Sequence, residues 1–93
     1  MKTKIGNARA LERVVKGFAN HRRLEILALL KRKPELSVDE VARELRINIK
    51  TASEHIRRLA IAGLVLKRNE GNLVRHKLTS RAESILKFLR ILE

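Results

Sequence analysis

Three histidines, ten carboxylates and twenty-two Lys and Arg side chains are the groups in this 93-residue sequence that could carry chemistry. Spacing removes most reactions. His21, His55 and His76 match no local ligand pattern, whereas zinc wants three or four ligands backed by a supporting shell. The absence of cysteine excludes a thiolate site, a cysteine nucleophile and a disulfide scaffold. Asp39 and Glu40 are adjacent acids, but they stand where a helix begins and the macrodipole favours them. There is no Gly-rich phosphate loop, nucleophile motif or plausible carboxylate pair. The expectation is therefore no catalysis, no cofactor and no metal. What remains is recognition by charge.

The formal net charge of +12 implies a polyanionic partner, because clustered Lys and Arg release the counterions condensed on phosphates. Residues 43–81 are the densest part, with ten basic groups against three acidic ones, while residues 82–93 balance to zero. Nucleic acid is favoured over an anionic membrane surface, and a merely well-solvated surface is the plain alternative. Hydrophobic residues make up 44 % of the chain, too many for a disordered basic tail. No apolar run approaches the roughly 18 residues of a membrane span. The start, Met1 to Asn7, has charge with no apolar stretch behind it, so no signal peptide is expected and the protein is read as cytoplasmic. The length fits one domain, 1–93.

These groups need elements to position them. Leu11, Val14, Val15 and Phe18 recur at three and four and predict a helix over Ala8–Phe18. Asn20 caps a second helix, Arg22–Arg32, whose Leu24, Ile26, Leu27, Leu29 and Leu30 cover more than one face and mark it as central. Pro34 stops it. Ser37-Val38-Asp39-Glu40 reads as a capping box opening a third helix to about Leu45. Asn48 caps a fourth helix to about Ala62, with Ala52, Ile56, Leu59 and Ala60 inward and Gly63 as a left-handed C-cap. Two short helices joined by so short a turn make a helix-turn-helix.

Leu64–Arg68 and Leu73–Leu78 then read as strands around a turn at Asn69-Glu70-Gly71-Asn72. Val74, His76 and Leu78 face one way, and Arg75 and Lys77 the other. Thr79 or Ser80 caps a last helix, with Ser80-Arg81-Ala82-Glu83 as a second capping box. Ile85, Leu86, Phe88, Leu89 and Leu92 give that helix a broad apolar face. The fold class is mainly α with a small β-hairpin, a winged helix-turn-helix of order α-α-α-α-β-β-α.

Phe18-Ala19-Asn20-His21-Arg22-Arg23-Leu24-Glu25-Ile26-Leu27 resembles the opening of the ArsR-like winged-helix transcriptional regulators. Asn48 to Leu59, followed by Ala62-Gly63-Leu64-Val65, is similar to that family's recognition helix and its exit into the wing. Glu70-Gly71, before a strand ending in Leu78-Thr79, is similar to its wing. The resemblance covers roughly residues 8–92. Several positions depart from it. Ser37-Val38-Asp39-Glu40 stands where such repressors often carry a Cys-x-Cys metal site. The family's other metal site, on the last helix, needs His and Asp, which Ser80–Glu93 lacks. Arg46 replaces the usual Gly of the turn, which implies a wider or strained turn. Arg58 is charged where an apolar residue is common, and Ile61 is apolar where a polar one is. Leu73, Arg75 and His76 replace the wing's usual aromatics.

On this reading the N-terminal part of the fourth helix reaches base edges first. Asn48, Ile49, Lys50, Thr51, Ser53, Glu54 and Arg57 form the expected base-reading set, led by Lys50 and Thr51. Ile49 could meet a thymine methyl or pack on its own domain. Arg46, Lys67, Arg68, Arg75 and Lys77 are the expected backbone contacts. Asn69 and Asn72 could read the minor groove or serve the turn. His55 is expected to be half-buried and bonded to a backbone or phosphate oxygen. Leu11, Val15, Phe18, Ile85, Phe88, Leu89 and Leu92, together with Ile5, exceed what one small domain covers and mark an interface. Members of the resembled family dimerise through such helices.

The expected function is sequence-specific binding of double-stranded DNA by a homodimeric transcriptional regulator, a repressor acting by operator occupancy. No membrane, metal or small-molecule effector is expected. The alternatives are a protein-interaction or RNA-binding module, or a non-specific architectural binder. The near-absence of aromatics argues against single-stranded RNA, whose bases need stacking platforms.

Overall fold

A computed structural model describes residues 5–93. The elements are α1 (Ala8–Phe18), α2 (His21–Arg32), α3 (Val38–Leu45), α4 (Ile49–Ile61), β1 (Val65–Glu70), β2 (Leu73–Leu78) and α5 (Ser80–Leu92). Among the described residues no helix is long and apolar enough to cross a membrane. The core gathers Ile26, Leu27, Leu29 and Leu30 of α2, Val41 of α3, Ile56 and Leu59 of α4, Leu64 and Val65 at the wing's base, and Ala82 of α5. Helix α2 lies at its centre and packs against α3, α4, α5 and β2.

Short-range chemistry starts each helix. Asn20 Oδ1 accepts from the amides of Arg22 and Arg23 at 2.9 and 3.2 Å. Both halves of the Ser37–Glu40 capping box are present, and the Ser37 backbone amide holds the Glu40 carboxyl below its ordinary range. Asn7 caps α1 through Ala10 N. The second expected capping box is corrected. Thr79 is the N-cap, accepting from Ala82 N at 3.2 Å, and Ser80 is the first helical residue. That register moves Glu83 off the box position, and its carboxylate pairs with Lys31 of α2 at 2.6 Å.

The two helices of the helix-turn-helix end in the same way. At the end of α4, Leu64 N reaches Leu59 O at 2.9 Å and Gly63 N reaches Ala60 O at 3.0 Å. At the end of α3, Ile47 N reaches Ala42 O at 3.0 Å and Arg46 N reaches Arg43 O at 3.3 Å. Both are Schellman motifs, which require a left-handed residue. Gly63 supplies it at φ +75°, and Arg46 supplies it at φ 55°, ψ 47°. The turn is therefore not widened; it is ordinary in shape and strained by an L side chain.

The wing is a two-stranded antiparallel ribbon pairing Val65 with Leu78 through Glu70 with Leu73. Asn69 and Glu70 belong to β1, which corrects the expected four-residue turn to Gly71-Asn72. Gly71 at φ +60°, followed by a residue with negative φ, fits a type II′ turn, which matches the twist of a hairpin. A third segment joins the wing at its base. His76 N donates to Leu36 O at 3.0 Å, and Glu35 N donates to His76 O at 2.9 Å. His76 is buried, its Nδ1–H donating to Leu36 O at 2.8 Å, and burial pushes its pKa down.

Helix α1 buries no residue of its own and packs chiefly on α4. Their crossing is close at Gly17, where an added Cβ would overlap the Ala62 side chain. Helix propensity alone predicts that Gly17→Ala gains about 1 kcal/mol. Overpacking at the crossing outweighs it, and a net loss of about 1–2 kcal/mol is expected in denaturant unfolding. A net gain would mean that α1 slides on α4 without cost.

Candidate nucleic-acid interface

Helix α4 buries Ala52, Ile56 and Leu59, which fixes its rotation and sends Lys50, Ser53, Glu54 and Arg57 outward at spacings of three and four. Ile49 is exposed at the first turn. Asn48 Oδ1 accepts from Lys50 N at 2.7 Å, so capping occupies that atom. The free amides at this helix start favour an anion such as a phosphate. Thr51 is exposed beside them.

Glu54 is not a free acceptor. Arg57 donates to it through Nε at 3.0 Å and Nη2 at 2.7 Å, and Arg58 through Nε at 3.1 Å. These hydrogen bonds lower its pKa to about 2, Arg57 contributing most. The charged Arg58 thus has a partner on its own helix, and Ile61 remains exposed. Exposed pairs of this kind add little stability. Their effect here is to hold Arg57 in place and mask part of its charge.

The wing's cations divide into two groups. Arg68 donates to Glu70 and to Glu35, both at 3.1 Å. Arg75 donates to Glu70 at 2.9 Å and to the Glu35 carbonyl at 3.0 Å, and its side chain is only 25 % exposed. Glu35 sits at φ 70° between α2 and α3. Its carboxylate and carbonyl fasten both arginines, a role its position in the sequence gave no sign of. Lys67 and Lys77 are exposed, and so are Lys50 and Arg46. Among the described residues none hydrogen-bonds or ion-pairs with the side chains of these four. In the ribbon's register Lys67 shares a face with His76, and Lys77 shares the other with Arg68 and Arg75. Asn69 and Asn72 are exposed near the tip.

Among the described residues no group of three or more His, Cys, Asp or Glu is placed to hold a metal ion. His55 is half-buried, and the partner of its Nδ1 is a side chain rather than a backbone oxygen. Arg23 Nε donates to His55 Nδ1 at 3.1 Å.

The apolar set divides too. Phe18 and Ile85 pack against the core of their own chain, and Leu89 lines a groove between α2 and α5 with Leu24, Ala28 and Leu86. Leu11, Val15, Phe88 and Leu92 are exposed, as is Ile5. Ile91, which the apolar pattern passed over, is the most exposed of them at 80 %.

The helix-turn-helix domain family matches residues 18–68. No curated protein matches the chain. Among solved structures, the homodimeric winged helix-turn-helix DNA-binding domain of Mb0332 from Mycobacterium bovis, a possible ArsR-family transcriptional regulator, is 30 % identical. It superposes with a TM-score of 0.83 over 91 % of this chain and 79 % of that one. HlyU from Vibrio cholerae is 32 % identical, with a TM-score of 0.80 over 94 % of this chain and 95 % of its own. NolR from Sinorhizobium fredii shares the fold at 22 % identity, with a TM-score of 0.85 over 99 % and 96 %.

Substitution at Arg46 tests backbone strain and an expected phosphate contact separately. Arg46→Gly relieves the left-handed strain, and unfolding should show a gain of about 1 kcal/mol. The same change should weaken binding to every duplex and flatten the salt dependence by about one unit of slope. An unchanged slope would remove Arg46 from the phosphate contacts.

Proposed function

The chain belongs to the winged helix-turn-helix transcriptional regulators of the ArsR type, and on that premise we propose that it reads double-stranded DNA by sequence as a homodimer. The carrying observation is the outward face of α4, where Lys50, Thr51 and Ser53 are exposed on a helix whose rotation is fixed by three buried residues. Arg46, Lys67 and Lys77, unpaired among the described residues, flank that helix in sequence and suit phosphates, which set register without reading bases. Lys50 can donate to guanine O6 or N7, and the Thr51 methyl suits a thymine methyl. Glu54, tied to Arg57 and Arg58, acts first by orienting those arginines. Occupancy of an operator would block polymerase, so repression is the simplest output.

The dimer is supported by the uncovered apolar residues of α1 and α5 and by the homodimeric state of Mb0332. Two-fold symmetry would set two recognition helices about 34 Å apart, one turn of DNA. Phe88, 54 % exposed in the single chain, is a direct probe. Phe88→Glu should shift sedimentation from dimer to monomer while circular dichroism stays unchanged. A variant that remains dimeric would move the interface elsewhere.

The division of labour among the cations has its own test. Lys50→Ala should cost about 1–3 kcal/mol on one preferred sequence and much less on others. Lys77→Ala should weaken all duplexes alike and lower the salt slope by about one. Equal, sequence-blind losses from both changes, measured by fluorescence anisotropy, would contradict a base-reading α4.

A further inference from the structure

Deepening that reading, on which it rests, we infer that Arg23 and His55 are a positioning pair that ties the recognition helix to α1 only while the His55 ring is neutral. A guanidinium has donors and no acceptor, so the bond from Arg23 Nε to His55 Nδ1 at 3.1 Å needs a lone pair on that nitrogen. The same guanidinium sends Nη1 to the carbonyls of Lys16 and Gly17 at 3.3 and 3.2 Å. These belong to the last turn of α1, where a helix leaves carbonyls without partners. One planar side chain rooted in α2 therefore bridges the end of α1 to the middle of α4. It does so beside Gly17 and Ala62, a close contact in the crossing of α1 and α4.

The surroundings resist a second positive charge. From α2, Arg22 and His21 stand near the ring together with Arg23. From α1, Arg13 and Lys16 line the same depression as Arg23 and Arg58, and Lys16 pairs with Glu12. Glu54, on the ring's own helix, pulls the other way but is already held by Arg57 and Arg58. Burial first, and Arg23 second, push the His55 pKa below its ordinary value. The bond's contribution is thus present above the ordinary histidine value and lost as pH falls through the lower folded one.

Protonation has two opposed consequences for DNA. An added charge on α4 strengthens attraction to any duplex. Release of α4 from α1, a dimer helix in the proposed function, loosens the spacing of the two recognition helices and weakens only the sequence-dependent part. The signature is a falling ratio of preferred to scrambled affinity, which added charge alone cannot produce.

The test uses the full chain from about pH 8 to about pH 4.5, reaching well below the ordinary histidine value because the folded one is lower. Affinities for a selected duplex and its scrambled version are measured together with hydrogen-exchange protection of residues 15–18. Wild type is compared with His55→Asn, whose Oδ1 replaces Nδ1 as acceptor and does not titrate. The wild-type ratio should fall about tenfold, within the range of coupled sites, and protection should fall with it. The Asn variant should hold both within about twofold, as expected when the coupling is intact. A flat wild-type ratio, or an equal fall in the variant, overturns the inference. If no duplex is preferred, the proposed function fails on its own, and exchange still decides: pH-independent protection in wild type overturns the pair. Should the Asn variant not fold, Arg23→Lys at about pH 8 should show the low ratio and low protection of acidified wild type. Wild-type values there contradict the inference.

Discussion

Burial of α2 is the constraint from which every projecting part of this protein takes its place. Ile26, Leu27, Leu29 and Leu30 are at most 1 % exposed, and each contributes about 2–3 kcal/mol of transfer free energy. A chain of this size has little other core to draw on. Because α2 touches α3, α4, α5 and β2, its position sets the angles of the helix-turn-helix, the wing and the last helix together. Helix α1 is the exception, held by its crossing with α4 and by the Arg23 guanidinium.

Around that core the charges are sorted rather than merely numerous. Glu12, Glu25, Glu35, Asp39, Glu44, Glu54, Glu70 and Glu83 are all in ion pairs, and Glu40 is in a capping box. Exposed pairs of this kind do little for stability, but each cancels a cation in the long-range field. Arg46, Lys50, Lys67 and Lys77, unpaired among the described residues, then dominate the turn, the helix start and the wing, while Arg68 and Arg75 stiffen the ribbon against the Glu35 loop. Strain at Arg46 and Glu35, both at positive φ, brackets α3 in the chain.

What was legible in the sequence follows the range of each interaction. Asn20, Ser37–Glu40, Asn48 and Gly63 act within a few residues, and their spacing alone located the helices and the turn. The helical and alternating apolar patterns gave the winged order. Thr79 and Ser80 are equivalent caps on paper; the backbone needed by the Thr79–Ala82 bond chose between them. Long-range partners left no local trace. Arg68 reaches Glu35 across 33 positions, and Arg23 reaches His55 across 32. Composition therefore counted wing arginines as free that a distant acid had already claimed. In the candidate site, the outward stripe of α4 was readable from its inward Ala52, Ile56 and Leu59. The mutual binding of Glu54, Arg57 and Arg58 was readable in principle from their helical spacing.

Selection from a random double-stranded DNA pool at about 0.15 M salt, where screening already weakens exposed charge, decides whether α4 reads bases. A base-reading dimer enriches a two-fold symmetric motif, with half-sites about one helical turn apart. Binding without enrichment would reduce the ordered face of α4 to a surface that holds phosphate and reads nothing.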